Sequence, residues 1–156
     1  MLRGDAAPLQ HSRVGRENQR YDGDVRLIVC IVPFSPAGQV LLISSSKHKD
    51  CWIFPKGGWE TDESVQACAS RELEEEAGVE GIDLQPLGEV NYTSANSSDR
   101  SKPSRLIGVS MRVTKEYEEW SESKHRQRRW VDLKTARSML QSRPELLEML
   151  NRAATS

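Results

Sequence analysis

Apolar and polar positions change their period several times along this chain, and each change marks an element. From Val25 to Phe34 branched apolar residues run almost unbroken, the pattern of a strand buried on both faces. Ser35 to Gly38 (SPAG) reads as a turn, because proline and glycine supply its backbone angles. QVLLIS from Gln39 predicts a second strand and CWIF from Cys51 a short third. After Asp62 the period lengthens. Val65, Ala69 and Leu73 recur four residues apart, which places them on the inner face of a helix. Asp62 can cap that helix, Glu63 suits the positive end of its dipole, and Gly78 can end it in the left-handed conformation.

Alternation then returns. LQPLGEVNYT and RLIGVSMRVT predict strands on either side of a polar loop, Ser94 to Ser104, and RQRRWVDL predicts a last strand. Lys134–Leu140 and Pro144–Ala153 close the chain as helices, the second with proline in its first turn. Strands, helix, strands, helix is the order of an α/β fold with a mixed sheet. Residues 1–19 show no periodicity and are expected to form a flexible arm, leaving residues 20–156 as one domain.

The 156 residues suffice for one domain with one core. The net charge is only −1, but acid gathers at 60–76 and base at 100–105 and 124–129. Cys30, Cys51 and Cys68 are odd in number and scattered, which suits free thiols in a reducing compartment rather than a disulfide framework or zinc site. The longest apolar run, Leu27–Val32, is too short to span a bilayer. The first twenty residues are polar and lack a signal core. A cytoplasmic protein, nuclear as a second location, is therefore expected, without a membrane partner and with a monomer assumed.

Chemistry concentrates in FPKGGWETDESVQACASRELEEEAGV, Phe54–Val79, where a single arginine, Arg71, stands among seven carboxylates. Glu72, Glu75 and Glu76 lie at i, i+3 and i+4 and so share one helix face. Each exposed like-charge pair at that spacing costs a few tenths of a kcal/mol. ELEEE on its own is more simply a solvated acidic face. If a cation compensates, oxygen ligands without nearby His or Cys favour Mg²⁺ or Mn²⁺, and Mg²⁺ held by few carboxylates commonly grips substrate phosphates as well.

Gly57, Glu63, Arg71, Glu72, Leu73, Glu75, Glu76, Gly78 and Val79 fall at the spacing of the Nudix signature, a glycine, five residues, a glutamate, seven residues, then Arg-Glu-apolar-x-Glu-Glu-x-Gly-apolar. The segment thus resembles the Nudix hydrolases. The resemblance implies the Nudix fold, a mixed sheet between helices, and metal-dependent hydrolysis of phosphoanhydrides. It implies Glu72 and Glu76 as metal ligands, with a backbone carbonyl of Lys56 or Gly57, and Glu75 as proton acceptor, although roles shuffle among the three glutamates within the family. Arg71 and Glu63 are expected to form an ion pair that ties loop to helix, and Trp52 and Trp59 to serve packing.

GRENQRYDGDVRL, LLISSSKHKDCWIFPKGGWE, RQRRWVDLKTA and RPELLEMLNRAA extend the resemblance to diphosphoinositol polyphosphate phosphohydrolases of fungal and plant type, which also cleave diadenosine polyphosphates. It spans residues 15–153 and is weakest over Ser94–Ser123, where fungal members carry an insertion that this chain lacks. It implies substrate contacts from Arg20, Arg26, Ser46, Lys47 and Arg126, from Arg100 or Lys102 in the loop, and from Arg143. Several cations on separate elements suit a small polyphosphorylated ligand, since each offers charge-assisted hydrogen bonds. Arg128 and Arg129 read equally as a basic edge strand. A nucleotide-selective pyrophosphatase would need a stacking aromatic, for which Tyr92 and Tyr117 are the candidates. Decapping of capped RNA and cleavage of inorganic polyphosphate stay open, and a non-catalytic binding module would be expected to have lost metal ligands.

Overall fold

The computed structural model describes residues 2–6, 17–48, 50–95 and 101–155, with side chains from 17 to 48, 50 to 93 and 102 to 155. The elements in chain order are β1 (Leu2–Ala6), β2 (Tyr21–Asp22), β3 (Val25–Phe34), β4 (Val40–Ser44), β5 (Trp52–Ile53), β6 (Lys56–Gly58), α1 (Val65–Glu72), a π-helical turn (Leu73–Ala77), β7 (Val79–Ala95), β8 (Ser101–Glu119), β9 (Arg128–Val131), α2 (Leu133–Met139) and α3 (Pro144–Thr155).

The predicted α/β fold with a mixed sheet is observed. Central β3 runs parallel to β8 and antiparallel to β2, β4 and β6, while β7 lies antiparallel to β8. The edge at β4 continues to β5 and β9. Residues Ile28–Val32 are all buried, as expected of a strand covered on both faces. Helix α1 packs on β3, β6 and β7, and α3 packs on β3, β7 and β8. Ala69 from the first, Leu73 from the π turn that follows it, and Leu146, Met149 and Leu150 from the last join one hydrophobic core with β3 and β8.

Several sequence expectations need correction. Strand pairing takes much of the predicted polar loop, since β7 runs to Ala95 and β8 begins at Ser101, and residues 96–100 lie outside the described residues. Thr93 and Ser94 pair opposite Pro103 and Lys102, so polar side chains did not prevent the ladder. The arm expected over 1–19 contains β1, which pairs with β8, and Gln19, which bridges to Glu60; residues 7–16 lie outside the described residues. Cys30, Cys51 and Cys68 are free, and burial pushes the thiols of Cys30 and Cys68 upward, so both pack as small hydrophobes. Among the described residues no helix is long and apolar enough to cross a membrane.

Candidate active site

The glutamate helix is held at both ends. Ser64, rather than the predicted Asp62, caps it, its hydroxyl accepting from the Ala67 N–H at 3.0 Å. Asp62 falls in the preceding turn, two residues short of the cap. The helix then widens into its π turn instead of continuing as α to Ala77. Gly78 ends it with φ of 65°, as expected of a left-handed cap, and a Cβ there would also strike Trp120. The carbonyls left open by that ending are taken up by the segment after β8. Trp120 Nε1 donates to Glu76 O, the Glu122 N–H to Glu75 O, and Arg128 Nη1 to Ala77 O. Arg128 also stacks on Trp120, so this arginine serves the helix end rather than a basic edge.

Arg71 lies inside the acidic cluster. Its guanidinium grips Glu63 with both sides of the fork, Nη2 at 2.6 Å and Nε at 3.0 Å, as the ion-pair expectation required. The same group reaches Glu72 at 3.0 Å, Glu75 at 3.3 Å and the Gly58 carbonyl at 3.2 Å. Glu72, Glu75 and Glu76 are all buried. One arginine cannot neutralise this group, and the residual effect is upward titration. Burial, then the charge of Glu72, pushes Glu75 up to about 7. Burial pushes Glu76 up to about 7 as well, against the pull of Arg126. Glu72 is raised, by burial first and Glu76 second. Glu63 goes the other way, because its hydrogen bonds from Arg71 and the Glu60 backbone outweigh its desolvation.

The donor set fits a hard divalent cation. Glu72 and Glu76 lie within hydrogen-bond reach of each other, a contact that two ionised carboxylates would avoid unless a proton or a cation lay between them. The Glu72 carboxylate is pressed against Gly57: a Cβ on that glycine would fall 2.0 Å from Glu72 Oε2, so only glycine admits this approach of backbone to carboxylate. The Lys56 N–H donates to Glu76 Oε1 at 3.1 Å. Among the described residues no three acidic, His or Cys side chains converge as a ready-made metal cage. Two carboxylates and a neighbouring carbonyl are nevertheless enough for Mg²⁺, which keeps waters and takes substrate phosphate oxygens as its remaining ligands.

Beside the helix opens a cavity of about 850 Å³. Glu76 lies on its wall, whereas Glu72 and Glu75 lie off it. Arg26, Ser46, Lys47, Lys56, Lys102, Arg126 and Arg143 also line it. They come from β3, the 45–51 turn, β6, β8, the approach to β9 and the approach to α3, so the fold does gather distant cations. Arg126 is braced by Glu122 at 2.6 Å and by the Ser44 carbonyl at 2.9 Å, with Glu76 at 3.8 Å. Arg143 pairs with Glu145 at 2.9 Å.

Two predicted substrate residues do not join this group. Arg20 is absent from the cavity lining: it stacks on Trp59 at 4.1 Å and donates to the carbonyls of Glu60, Thr61 and Glu63. Arg100 lies outside the described residues. Of the aromatic candidates, Tyr92 lines the cavity, whereas Tyr117 is buried elsewhere with its hydroxyl on Glu80. Sequence reasoning missed Glu122, whose charge acts on all three box glutamates, and the exposed Tyr21 at the cavity. Neither carried a signal, because Glu122 lies 46 positions from Glu76 in an irregular segment and Tyr21 stands alone before β3.

Comparison with known proteins matches residues 24–152 to the NUDIX domain. Nudix hydrolase 12, mitochondrial, of Arabidopsis thaliana is 39% identical over 148 residues, spanning 80% of this chain and 71% of that protein. Nudix hydrolase 4 of the same plant is 41% identical over 147 residues, spanning 84% and 67%. Among solved structures, a NUDIX hydrolase from Nitrosomonas europaea superposes with a TM-score of 0.69 at 17% identity, over 84% of this chain and 89% of the other. The NUDIX domain of Shewanella oneidensis NrtR, complexed with ADP ribose, superposes with a TM-score of 0.62 at 20% identity, over 86% and 89%. At those identities the structural likeness speaks for the fold alone.

Proposed function

This chain belongs to the Nudix hydrolases, and from that membership we propose that it cleaves phosphoanhydrides of small polyphosphorylated molecules, diphosphoinositol polyphosphates and diadenosine polyphosphates foremost. The observation that carries the choice is the cavity: six lysine and arginine side chains from separate elements, Arg26, Lys47, Lys56, Lys102, Arg126 and Arg143, face one space beside Glu76. A ring or chain bearing many phosphates needs such convergent cations.

Glu72 and Glu76 would hold a divalent ion, with the carbonyl of Lys56 or Gly57. When bound, that ion draws charge from phosphoryl oxygens and acidifies water. Glu75 is assigned the proton from the attacking water, and Arg71 fixes its carboxylate through the 3.3 Å contact. Glu63 and Arg71 are assigned to positioning. Lys47 and Arg126 would bind phosphates, Ser46 would add a hydroxyl contact, and Arg26, Lys102 and Arg143 would surround the remainder of the ligand.

The diadenosine reading has its own support. Tyr21, 48% exposed, and Tyr92 both line the cavity and offer faces for a base. A panel of diphosphoinositol polyphosphates, diadenosine polyphosphates, inorganic polyphosphate, ADP-ribose and capped RNA, each with Mg²⁺ or Mn²⁺, tests the choice through specificity constants. Preference for ADP-ribose or capped RNA would overturn it.

A further inference from the structure

Resting on that reading, we propose that the side chain of Lys56 is itself a phosphate contact, seating the phosphoryl group next to the metal carboxylates.

Lys56 is fixed by its backbone. It lies in β6 opposite Cys30 of β3, and its N–H is bonded to Glu76 Oε1. Its side chain enters the cavity and is half-buried there. Among the described residues the ammonium has no carboxylate or carbonyl partner. The cations nearby are differently placed: Arg126 is occupied by Glu122 and Ser44, and Arg143 by Glu145. Lys47 likewise has no ion-pair partner among the described residues but is exposed, so water serves it.

Withdrawing an ammonium from water without a counter-charge is costly, and that cost is recovered when a ligand supplies the anion. Glu76 and Arg143 line the same cavity, so Lys56 shares one space with a metal carboxylate and the approach to α3. An anhydride with one phosphorus beside Glu76 would place its next phosphate within reach. In hydrolysis the water oxygen bonds to phosphorus, its proton passes to the general base, and the bridging oxygen departs with the bonding pair on the second phosphate. Negative charge grows on that phosphate, where the ammonium stands.

The test needs neither metal nor turnover. Binding of inorganic tripolyphosphate to the full chain is measured by calorimetry in EDTA, for wild type, Lys56→Met, Lys56→Arg and, as a distant control, Lys134→Met. Methionine keeps most of the apolar stem. Lys56→Met is expected to bind about 10- to 100-fold more weakly, the size of a lost hydrogen bond to a charged group. Lys56→Arg should recover most of the affinity, and Lys134→Met should match wild type. Lys56→Gln, a neutral hydrogen-bonding side chain, repeats the measurement if methionine lowers the melting temperature. Tripolyphosphate binding by Lys56→Met or a folded Lys56→Gln equal to wild type overturns the contact. A wild type that neither binds tripolyphosphate nor hydrolyses any substrate of the panel overturns the functional reading, and the contact with it.

Discussion

Replacing Arg71 with methionine removes the one cation among the described residues that contacts Glu63, Glu72 and Glu75 together. The side chain is 11% exposed, and that of Glu63, its bidentate partner, is 6% exposed. Methionine fills part of the space but leaves Glu63, Glu72 and Glu75 without their shared donor. Breaking a buried pair by deleting one member costs about 3–5 kcal/mol. At about 2–4 °C per kcal/mol for a chain of this size, the midpoint should fall by roughly 6–20 °C. The assay is thermal unfolding followed by circular dichroism, in EDTA and in Mg²⁺. In EDTA the deficit should shrink at pH 5, because the stranded carboxylates accept protons and their repulsion fades. Mg²⁺ should stabilise the variant more than it stabilises wild type, since the ion replaces part of the missing positive charge. The double variant Glu63→Gln/Arg71→Met should lie above the sum of its parts. A midpoint within 2 °C of wild type would refute the reasoning, because a few tenths of a kcal/mol is what an exposed pair contributes.

Three further outcomes follow from the same geometry. Glu76→Gln should lower turnover at least about 100-fold while the fold persists, measured as kcat beside a melting curve; activity within a few-fold of wild type would remove Glu76 from the metal site. In EDTA the wild type should lose stability as pH rises from about 4.5 towards 7, because Glu75 and Glu76 hold their protons to about 7 when folded and release them near 4.5 when unfolded; Mg²⁺ should flatten this slope, and a metal-free melting temperature that is constant or rising over that range would contradict the burial argument. Arg20→Ala should lower the melting temperature and leave KM unchanged, whereas Lys47→Ala should raise KM about tenfold or more, as loss of a charge-assisted hydrogen bond does; the reverse ranking would return Arg20 to the substrate site.

The sequence made the strands and helices legible wherever burial imposed a period. Ile28–Val32 and the Ala69–Leu73 spacing are dictated by a core, and they fold as they read. The glutamates and Arg71 were legible because a loop, a helix and a loop confine them to one local segment. Arg20 does not join the cavity lining it was expected to join, because a residue far from the box declares no partner until the chain is folded. Its arginine type suits phosphate, but Trp59 and three carbonyls take it first. The cap moved from Asp62 to Ser64 because both residues can accept an N–H, and the backbone angles before Val65 decide between them. The cavity cations Lys102 and Arg143 come from segments with no period at all, and only the folded chain brings them to the cavity that Glu76 lines.

Connections between strands are ordinarily where a family changes length at little cost. Here the stretch from Trp120 to Arg128 is not free to vary in that way, since it completes the end of the glutamate helix at three successive carbonyls. An inserted residue would leave one of those carbonyls bare and tilt Glu75 and Glu76 with it. Diversification of the ligand should therefore enter through a neighbouring segment of the cavity wall. The 45–51 turn closes on itself, with the Ser45 N–H on Cys51 O and the Cys51 N–H on His48 O. A longer or differently charged turn there would reshape what the cavity admits through Ser46 and Lys47 and leave Glu72, Glu75 and Glu76 in place, which makes it the natural place to graft a new specificity.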